Sequence, residues 1–285
     1  MNNKITVIIL TSNEEPHLER CLENILDWAE EIFVVDSFST DKTLEIARRY
    51  DTKIVQHPFE NHAKQFNWAL DNLPIQFDWV LRLDADEYLT EELKKEITEV
   101  LPKVTADVSG FLIKRRVYFM GRWIRHGGYY PIWLLRLFRY RKGKVEDRNM
   151  DEHTILLAGR AERLQTDFID ENRKGLTWWI AKHNQYAGRE AEDILNFNAA
   201  EISSAGLTGQ AKRTRWLKEK IYLKLPLFWR ACFYFCYRYV LRLGFLDGKA
   251  GLIFHFLQAF WYRFLVDAKI YESRYNSSYG PKKHN

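Results

Sequence analysis

The chain has 285 residues and a formal net charge of +5, and its charge is divided unevenly. Residues 1–210 hold 28 basic and 34 acidic side chains, whereas residues 211–285 hold 15 basic and 4 acidic ones and 19 of the 43 aromatic residues. A hydrophobic fraction of 46% excludes a wholly disordered chain, and three scattered cysteines exclude a disulfide framework or a zinc site. We therefore predict two domains, 1–210 and 211–285, of which the second is a basic, aromatic extension.

Short apolar runs and helical stripes alternate along the first hundred residues. The apolar runs predict four strands, which are residues 5–10, 31–35, 53–56 and 79–83. Capping residues follow each run, and apolar residues at spacings of three and four then predict helices. This alternation predicts an α/β fold, in which a mostly parallel sheet is flanked by helices. The N-terminal run is shorter than a signal peptide requires, so we expect a cytoplasmic protein.

Carboxylates follow two of the predicted strands. Asp36 ends the second strand, and Asp84 and Asp86 end the fourth. Because ligands bind beyond the carboxyl ends of parallel strands, we expect these carboxylates to share one edge of the sheet. Asp84 and Asp86 offer the oxygen ligands that Mg²⁺ or Mn²⁺ prefers. The structural alternative is a solvated acidic turn that caps the next helix.

The first strand-to-helix turn, Thr11–Glu15, lacks the glycines of a dinucleotide-binding motif and the lysine loop of Walker A. Without those glycines the backbone cannot close on a pyrophosphate in the usual way. A metal at Asp84 and Asp86 would instead bridge a diphosphate and stabilise it as a leaving group.

Six segments carry motifs in a fixed order: ITVIILTSNEEPHLERCL, EIFVVDSFSTDKTLEIA, HAKQFNWAL, WVLRLDADE, GGYYPIWLLRLFR and KHNQYAGREA. The first four resemble the family 2 glycosyltransferases, which have the Rossmann-like GT-A fold. The last two resemble a bacterial branch that includes lipopolysaccharide-core glucosyltransferases and related surface-polysaccharide enzymes. The resemblance spans residues 4–200 and implies an inverting transfer of a sugar from a nucleotide donor to a hydroxyl acceptor.

The resemblance also implies which residues bind the donor: those of the first turn, the second strand end, the helix near the diphosphate and the fourth strand end. These donor-nucleotide residues are Thr11, Asn13, Glu14, Asp36, Lys64, Asn67 and Asp84. Asp84 and Asp86 match the metal-binding pair, for which we expect Mg²⁺ or Mn²⁺. For Lys64, a lysine that is merely solvated on a helix surface is the alternative.

An inverting transfer needs a base that takes the proton of the acceptor hydroxyl. The resembling enzymes read Val-His-Glu where this chain reads Met150 to Glu152, so Glu152 matches the glutamate and Asp151 replaces the histidine. We favour Glu152 as the base, with Asp151, or neither, as the alternatives. His153 is a candidate further ligand for metal or phosphate, or a histidine that is only hydrogen-bonded.

A cluster of glycines and aromatic residues follows residue 126. Glycines permit close backbone approach and aromatic rings stack on sugars, so we interpret the cluster as an acceptor or sugar platform. Its candidate residues are Gly128, Tyr129, Tyr130, Trp133 and Arg136. A structural turn before a strand over residues 134–138 is the alternative, and Arg136 could equally form a buried ion pair.

The C-terminal extension contains two apolar segments, residues 227–243 and 250–262, and each is too short to span a bilayer. A helix over the first segment would place its arginines on one face, which favours amphipathic helices lying in a membrane interface. The candidate membrane residues are Trp229, Arg230, Arg238, Arg242 and Trp261. The alternatives are packing on the catalytic sheet or an oligomer interface, whereas the apolar density argues against nucleic acid.

Together these features predict a metal-dependent enzyme attached peripherally to the inner face of the cytoplasmic membrane. Its substrates would be a nucleotide-diphosphate sugar and a lipid-linked or lipopolysaccharide-type glycan, in cell-surface polysaccharide synthesis. The alternatives are a polyprenyl-phosphate sugar synthase and an inactive subunit that binds sugar nucleotides. The donor sugar, its base, the acceptor linkage and the oligomeric state are left open.

Overall fold

Two compact units make up the described part of the chain. The computed structural model describes residues 4–146, 152–196 and 209–279. The first unit contains residues 4–118, 130–146 and 152–173. The second unit contains residues 119–129, 174–196 and 209–279.

A mixed sheet forms the centre of the first unit. The strands of the described chain are β1 (Ile5–Thr11), β2 (Glu31–Asp36), β3 (Lys53–Gln56), β4 (Trp79–Asp84), β5 (Glu87–Leu89), β6 (Val108–Phe119), β7 (Arg122–Trp123), β8 (Ile132–Arg139), β9 (Gly143–Val145), β10 (Thr154–Leu156) and β11 (Arg160–Glu171). The sheet has the order β3-β2-β1-β4-β8-β6-β11-β5, while β9 and β10 form a separate antiparallel pair. The first four strands are parallel, as predicted, and β8 then runs antiparallel to β4.

Helices cover both faces of the parallel half of the sheet. The helices of the described chain are α1 (Leu18–Ile25), α2 (Thr43–Arg48), α3 (His62–Asn72), α4 (Glu91–Val100), α5 (Gly175–Leu195), α6 (Gly209–Lys220), α7 (Trp229–Cys236), α8 (Gly248–His255) and α9 (Tyr262–Tyr279). One core joins Val7, Val34 and Leu81 to α1 and α4, and the other joins Ile8 and Phe33 to α3. Neighbouring residues of one strand point to opposite faces, so both must be apolar, which explains the continuous apolar runs.

Apart from β7, the regular structure of the second unit is helical. Its core packs two alanines of α5 against one face of α9, and its residues are Ala187, Ala191, Tyr262, Val266 and Ile270. Composition predicts a domain boundary at residue 210, whereas α5 lies before that residue and belongs to the second unit. The physical reason is this packing, which composition cannot reveal because α5 is not itself strongly basic.

The C-terminal apolar segments form helices, as predicted. The first is α7 followed by a π-helical turn, Tyr237–Leu241, and the second runs from α8 through a π-helical stretch, Phe256–Trp261, into α9. No helix within the described ranges is both long and apolar enough to cross a membrane.

Candidate active site

The carboxyl ends of three parallel strands lie side by side. Thr11 of β1 is the partner of Asp36 of β2, and Leu10 is the partner of Asp84 of β4. The prediction that Asp36 and Asp84 share one edge of the sheet is therefore confirmed. The turn Thr11–Glu15 begins at the same edge, because it follows β1 directly.

Asp36 organises the loop that follows β2. Its Oδ1 accepts hydrogen bonds from the hydroxyls of Thr11 (3.0 Å) and Ser39 (2.5 Å). Its Oδ2 accepts from the Ser39 amide (2.9 Å) and from Nε2 of Gln56 (3.1 Å). A carboxylate offers about four acceptor positions, so these donors occupy Asp36 fully. The buried Asp36 thus holds the loop in one shape.

Asn13 and Glu14 tie the first turn to the same loop. Asn13 has a φ of +54°, which asparagine tolerates, and its Oδ1 accepts from the Thr40 amide at 2.8 Å. The Asn13 amide donates to the Ser39 hydroxyl (2.8 Å), and the Glu14 amide donates to the Thr43 hydroxyl (2.7 Å). Both predicted nucleoside-binding residues are therefore held in place before any ligand arrives.

A buried histidine connects this turn to the chain after β11. The Arg173 amide donates to Nε2 of His17 at 2.7 Å, so the proton of the neutral ring is on Nδ1. That nitrogen donates to Glu14 Oε2 at 2.7 Å. Sequence reasoning missed His17, because its position in the α1 turn carries no motif and its partner lies 156 residues away.

Arg136 joins two carboxylates beneath the strand end. Its Nη2 lies 3.0 Å from Asp84 Oδ2 and 2.5 Å from Glu87 Oε1, and the guanidinium is buried. Desolvation would raise the pKa of Asp84, but the charges of Arg136 and Arg82 hold that pKa well below its usual range. Burial raises the pKa of Glu87. Arg136 therefore forms the buried ion pair that was the alternative to its role in the acceptor platform, and that role stays a prediction.

Asp86 is held by the last residue of β11 and by the residue that follows it. Its Oδ2 accepts from Nδ2 of Asn172 at 2.9 Å, and its carbonyl oxygen accepts from the Glu171 amide at 3.0 Å. Asp170 lies opposite Glu87 in the pairing of β11 with β5. Desolvation raises the pKa of Asp170 to about 6, while Arg115 lowers it and Asp86 and Asp84 raise it further. A third carboxylate thus lies near the predicted pair.

The remaining predicted donor residues have structural partners. Lys64 forms an exposed pair with Glu60 at 2.5 Å, as expected for a solvated lysine. Asn67 uses both ends of its amide on β9, since its Nδ2 donates to the Val145 oxygen (2.8 Å) and its Oδ1 accepts from the Val145 amide (2.9 Å). Both assignments to the diphosphate remain predictions.

The predicted base and third metal ligand lie near β10. Asp151 is outside the described residues, and Glu152 is half-buried just before β10. His153 Nδ1 lies 3.6 Å from Glu146 Oε2. Within the described ranges no three His, Cys, Asp or Glu side chains form a metal-binding group, so His153 does not complete a set with Asp84 and Asp86 here.

The predicted acceptor platform is divided between the units. In the first unit the Tyr130 hydroxyl donates to Asp167 at 3.1 Å, and the Trp133 ring faces the Arg163 guanidinium at 4.9 Å. In the second unit the Arg238 guanidinium covers the Tyr129 ring at 4.0 Å. A methyl group on Gly128, whose φ is +75°, would lie 3.6 Å from Arg242. These rings thus have partners within the fold, and the platform remains a prediction.

The predicted membrane residues differ in exposure. Trp229 and Arg242 are exposed, whereas Trp261 is half-buried. Arg230 is buried in an ion pair with Asp267, and Arg238 donates to the Tyr234 hydroxyl at 2.5 Å. The prediction that Arg230 lies on an exposed basic face is therefore wrong, because an inward-facing partner on α9 neutralises it.

Comparisons with known proteins agree with this geometry. The family model Glycosyl transferase family 2 matches residues 6–168. LpsC, a lipopolysaccharide core biosynthesis glycosyltransferase of Rhizobium meliloti, is 27% identical over 283 residues, which cover 94% of this chain and 92% of LpsC. An uncharacterized glycosyltransferase of Rickettsia bellii is 36% identical over 107 residues, or 38% of this chain and 36% of that protein.

Similar partial matches to other Rickettsia glycosyltransferases span 36% to 40% of those relatives' lengths. Among solved structures, the mannosyltransferase PcManGT of Pyrobaculum calidifontis, in complex with GDP-Man and Mn²⁺, is 17% identical with a TM-score of 0.51. That similarity covers 98% of this chain and 88% of the other. The predicted GT-A fold is thereby confirmed, with a mixed sheet flanked by helices and a helical C-terminal region.

Proposed function

Because the chain belongs to glycosyl transferase family 2, we propose that it transfers a sugar, with inversion, from a nucleotide-diphosphate sugar to a hydroxyl of a lipid-linked or lipopolysaccharide-type glycan. The observation that carries this proposal is the placement of Asp84 and Asp86 at a strand end beside Asp36 and the turn Thr11–Glu15. The similarity to LpsC along 94% of the chain supports a surface glycan as the product.

The donor nucleoside would bind at the turn after β1 and the loop after β2. Hydrogen bonds accepted by Asp36 and Asn13, and one donated by the Glu14 amide, hold these two segments together. A binding surface that is already ordered loses little conformational entropy when a ligand binds, which favours affinity. Asp36 would act mainly by shaping this surface, since its oxygens already have four donors.

The carboxylates at the end of β4 fit a hard divalent cation, Mg²⁺ or Mn²⁺. Arg136 and Arg82 keep Asp84 ionised, and Asn172 orients one oxygen of Asp86 and leaves the other for a ligand. Such a cation, when bound, would offset the charge of the diphosphate leaving group. PcManGT, which has a similar fold, was solved with GDP-Man and Mn²⁺.

A carboxylate must take the proton of the attacking hydroxyl, on the face of the sugar opposite the diphosphate. We assign this role to Glu152, which follows the segment 147–151 and lies just before β10. As the acceptor oxygen attacks the anomeric carbon, its proton passes to the carboxylate and the bond to the diphosphate breaks. The configuration at the anomeric carbon is thereby inverted.

The acceptor would be presented at a membrane. The second unit exposes large apolar side chains on α7 and the π-helical turn after it, among them Trp229 and Leu241, with the exposed Arg242 beside them in sequence. Amphipathic surfaces of this kind favour peripheral attachment to anionic lipid, here the inner face of the cytoplasmic membrane.

The test is transfer of radiolabelled sugar from a panel of nucleotide sugars to a membrane-extracted glycan fraction, with Mg²⁺ or Mn²⁺. We expect the wild type to label the glycan and Asp86→Ala to lose this activity, while Asp71→Ala, an exposed aspartate on α3, retains it. Wild-type turnover by Asp86→Ala would contradict the assignment. Mild acid would release the label from a sugar–phosphate–lipid product and leave a glycosidic product intact.

A further inference from the structure

Phe38 has an unusual backbone conformation for its residue type. Its φ is +55°, in the left-handed region where a side chain with a Cβ atom is disfavoured and glycine is not. Asn13, close by, has a similar φ, but its side chain accepts a hydrogen bond from the Thr40 amide in return. A phenylalanine side chain cannot make such a bond, so no side-chain hydrogen bond offsets the backbone strain at this position.

The ring of Phe38 is exposed, with 55% of the residue surface accessible. In the part of the chain that the structure describes, no other aromatic ring or cation lies against it, and it belongs to neither core of the first unit. Packing therefore does not account for the phenylalanine. Strained residues that the surrounding structure holds in place cluster at active sites and where ligands are held.

The neighbours of Phe38 fix its position at the edge of the sheet. The Ser37 amide donates to the Thr11 oxygen at 2.9 Å, and the Ser39 amide donates to Asp36 Oδ2 at 2.9 Å. The Ser39 hydroxyl in turn accepts from the Asn13 amide at 2.8 Å. The ring is thus presented from a rigid loop whose two sides are bonded to the residues proposed to hold the nucleoside.

We propose that Phe38 binds the donor by stacking on the nucleobase of the nucleoside diphosphate. This inference rests on the proposed function, because it takes the site between β1 and β2 as the nucleoside site. Among the parts of such a donor, only the base is a planar aromatic surface that matches an exposed ring. Stacking is tolerant of base identity because every base has a π face, so Phe38 would supply affinity rather than choose the base.

The experiment measures binding by titration calorimetry with the full chain. The ligands are UDP, GDP and inorganic pyrophosphate, each with Mg²⁺ or Mn²⁺, and the variants are Phe38→Gly and Phe38→Tyr. We expect Phe38→Gly to lower the affinity for the preferred nucleoside diphosphate about tenfold, which corresponds to the loss of one stacked base. Pyrophosphate affinity should not change, and Phe38→Tyr should bind the nucleotide as the wild type does.

Met120→Gly is the matched control, since Met120 has a φ of +49° and the same exposure of 55% but lies in the turn between β6 and β7. It should leave all three affinities unchanged. The thermal midpoint of Phe38→Gly should equal or exceed that of the wild type, because glycine relieves the backbone strain. Weaker nucleotide binding by a variant that is no less stable would exclude misfolding as the cause.

Two results would overturn this inference and leave the proposed function intact. In the first, Phe38→Gly binds the nucleoside diphosphate as tightly as the wild type does. In the second, the variant loses affinity for pyrophosphate and for the nucleotide by the same factor. The second result would mean that the loop, and not the stacking, had been disturbed. Failure of the wild type to bind either nucleoside diphosphate would overturn the proposed function as well. The two failures are therefore distinguishable.

Discussion

Asn172 donates a hydrogen bond from Nδ2 to Oδ2 of Asp86, at a distance of 2.9 Å. The bond connects the chain just after β11 to the carboxylate proposed to bind the metal, across 86 residues of sequence. Partners of this kind orient metal ligands, and their loss usually weakens the metal site without removing it. Asn172 is thus a positioning residue for the proposed donor site.

We predict that Asn172→Ala lowers the affinity for Mn²⁺ in the presence of a nucleoside diphosphate by roughly 10- to 100-fold. The freed Asp86 carboxylate would have to be reoriented by the ion itself. Calorimetric titration of Mn²⁺ into the protein with UDP or GDP measures the effect. Asn72→Ala, at the exposed end of α3, is the control. Equal Mn²⁺ affinity of Asn172→Ala and the wild type would show that Asp86 needs no such support.

Asp170 should make the free energy of unfolding fall as the pH rises. Its pKa is about 6 in the folded protein, above the value of 3.8 for a free aspartate, because desolvation and two nearby aspartates disfavour its charge. The folded state thus binds the proton more tightly than the unfolded state does. The stabilisation is complete below pH 3.8 and is lost as the pH rises through 6.

Asp170→Asn should therefore increase the free energy of unfolding above pH 6, by on the order of 2 kcal/mol. Below pH 4 the two proteins should differ little, since Asp170 is then protonated in both states. Urea unfolding between pH 3 and pH 8 tests this, with EDTA present because a bound cation would favour the charged form. Asp71→Asn serves as the exposed comparison. A constant difference at every pH would contradict titration of Asp170 as the cause.

The parallel half of the fold was predictable from the sequence because it is specified locally. Each strand from β1 to β4 has adjacent apolar residues at its centre, and its observed bounds differ from the predicted ones by at most one residue. The edge shared by Asp36 and Asp84 follows from the parallel arrangement alone. No knowledge of side-chain partners is needed for either step.

The contacts of Asp170, Asn172 and His17 could not be predicted, because they depend on the antiparallel pairing of β11 with β5. In sequence, the helix α4 and the five strands β6 to β10 lie between those two strands, and β11 lacks a clear apolar pattern. Helical periodicity failed at Arg230 for a related reason. Periodicity shows which residues share a face of a helix, but not whether a neighbouring helix places a carboxylate opposite that face.

The pair Arg230–Asp267 should be essential to the second unit. Both side chains are buried, and Asp267 also accepts a hydrogen bond from the Phe228 amide at 2.7 Å. Arg230→Ala would leave a buried carboxylate without its counterion, which costs about 3 to 5 kcal/mol. We expect a corresponding fall in the urea midpoint, whereas Arg242→Ala, at an exposed arginine, should leave the midpoint unchanged.

The double variant Arg230→Met with Asp267→Leu tests the cause of that loss. Replacing both charges with apolar groups removes the uncompensated carboxylate, so stability should recover most of the way to the wild type. If the double variant is no more stable than Arg230→Ala, then the loss arises from packing around the guanidinium or from the Phe228 amide, which Asp267→Leu leaves without its acceptor, and not from charge pairing. Both results concern stability without lipid, so they test the structural role of Arg230 and not the lipid contact that the sequence predicted.

The proposed attachment to a membrane can be tested at the exposed apolar side chains of the second unit. Trp229, Phe233 and Leu241 are 63%, 54% and 73% exposed, and they recur at multiples of four residues along α7 and its π-helical turn. Each such side chain gains about 1.5 to 3 kcal/mol when fully removed from water. We predict that the variant in which Trp229, Phe233 and Leu241 are all replaced by serine has an affinity at least about tenfold lower for vesicles that contain anionic lipid.

Co-sedimentation with vesicles measures this affinity, and Phe59→Ser with Leu157→Ser is the control, because both residues are exposed apolar side chains of the first unit. The control should bind vesicles as the wild type does. Salt should weaken binding only in part, since the apolar contribution is not screened. If the triple variant binds vesicles normally but changes from an oligomer to a monomer on size exclusion, the face joins two copies of the chain and does not contact lipid.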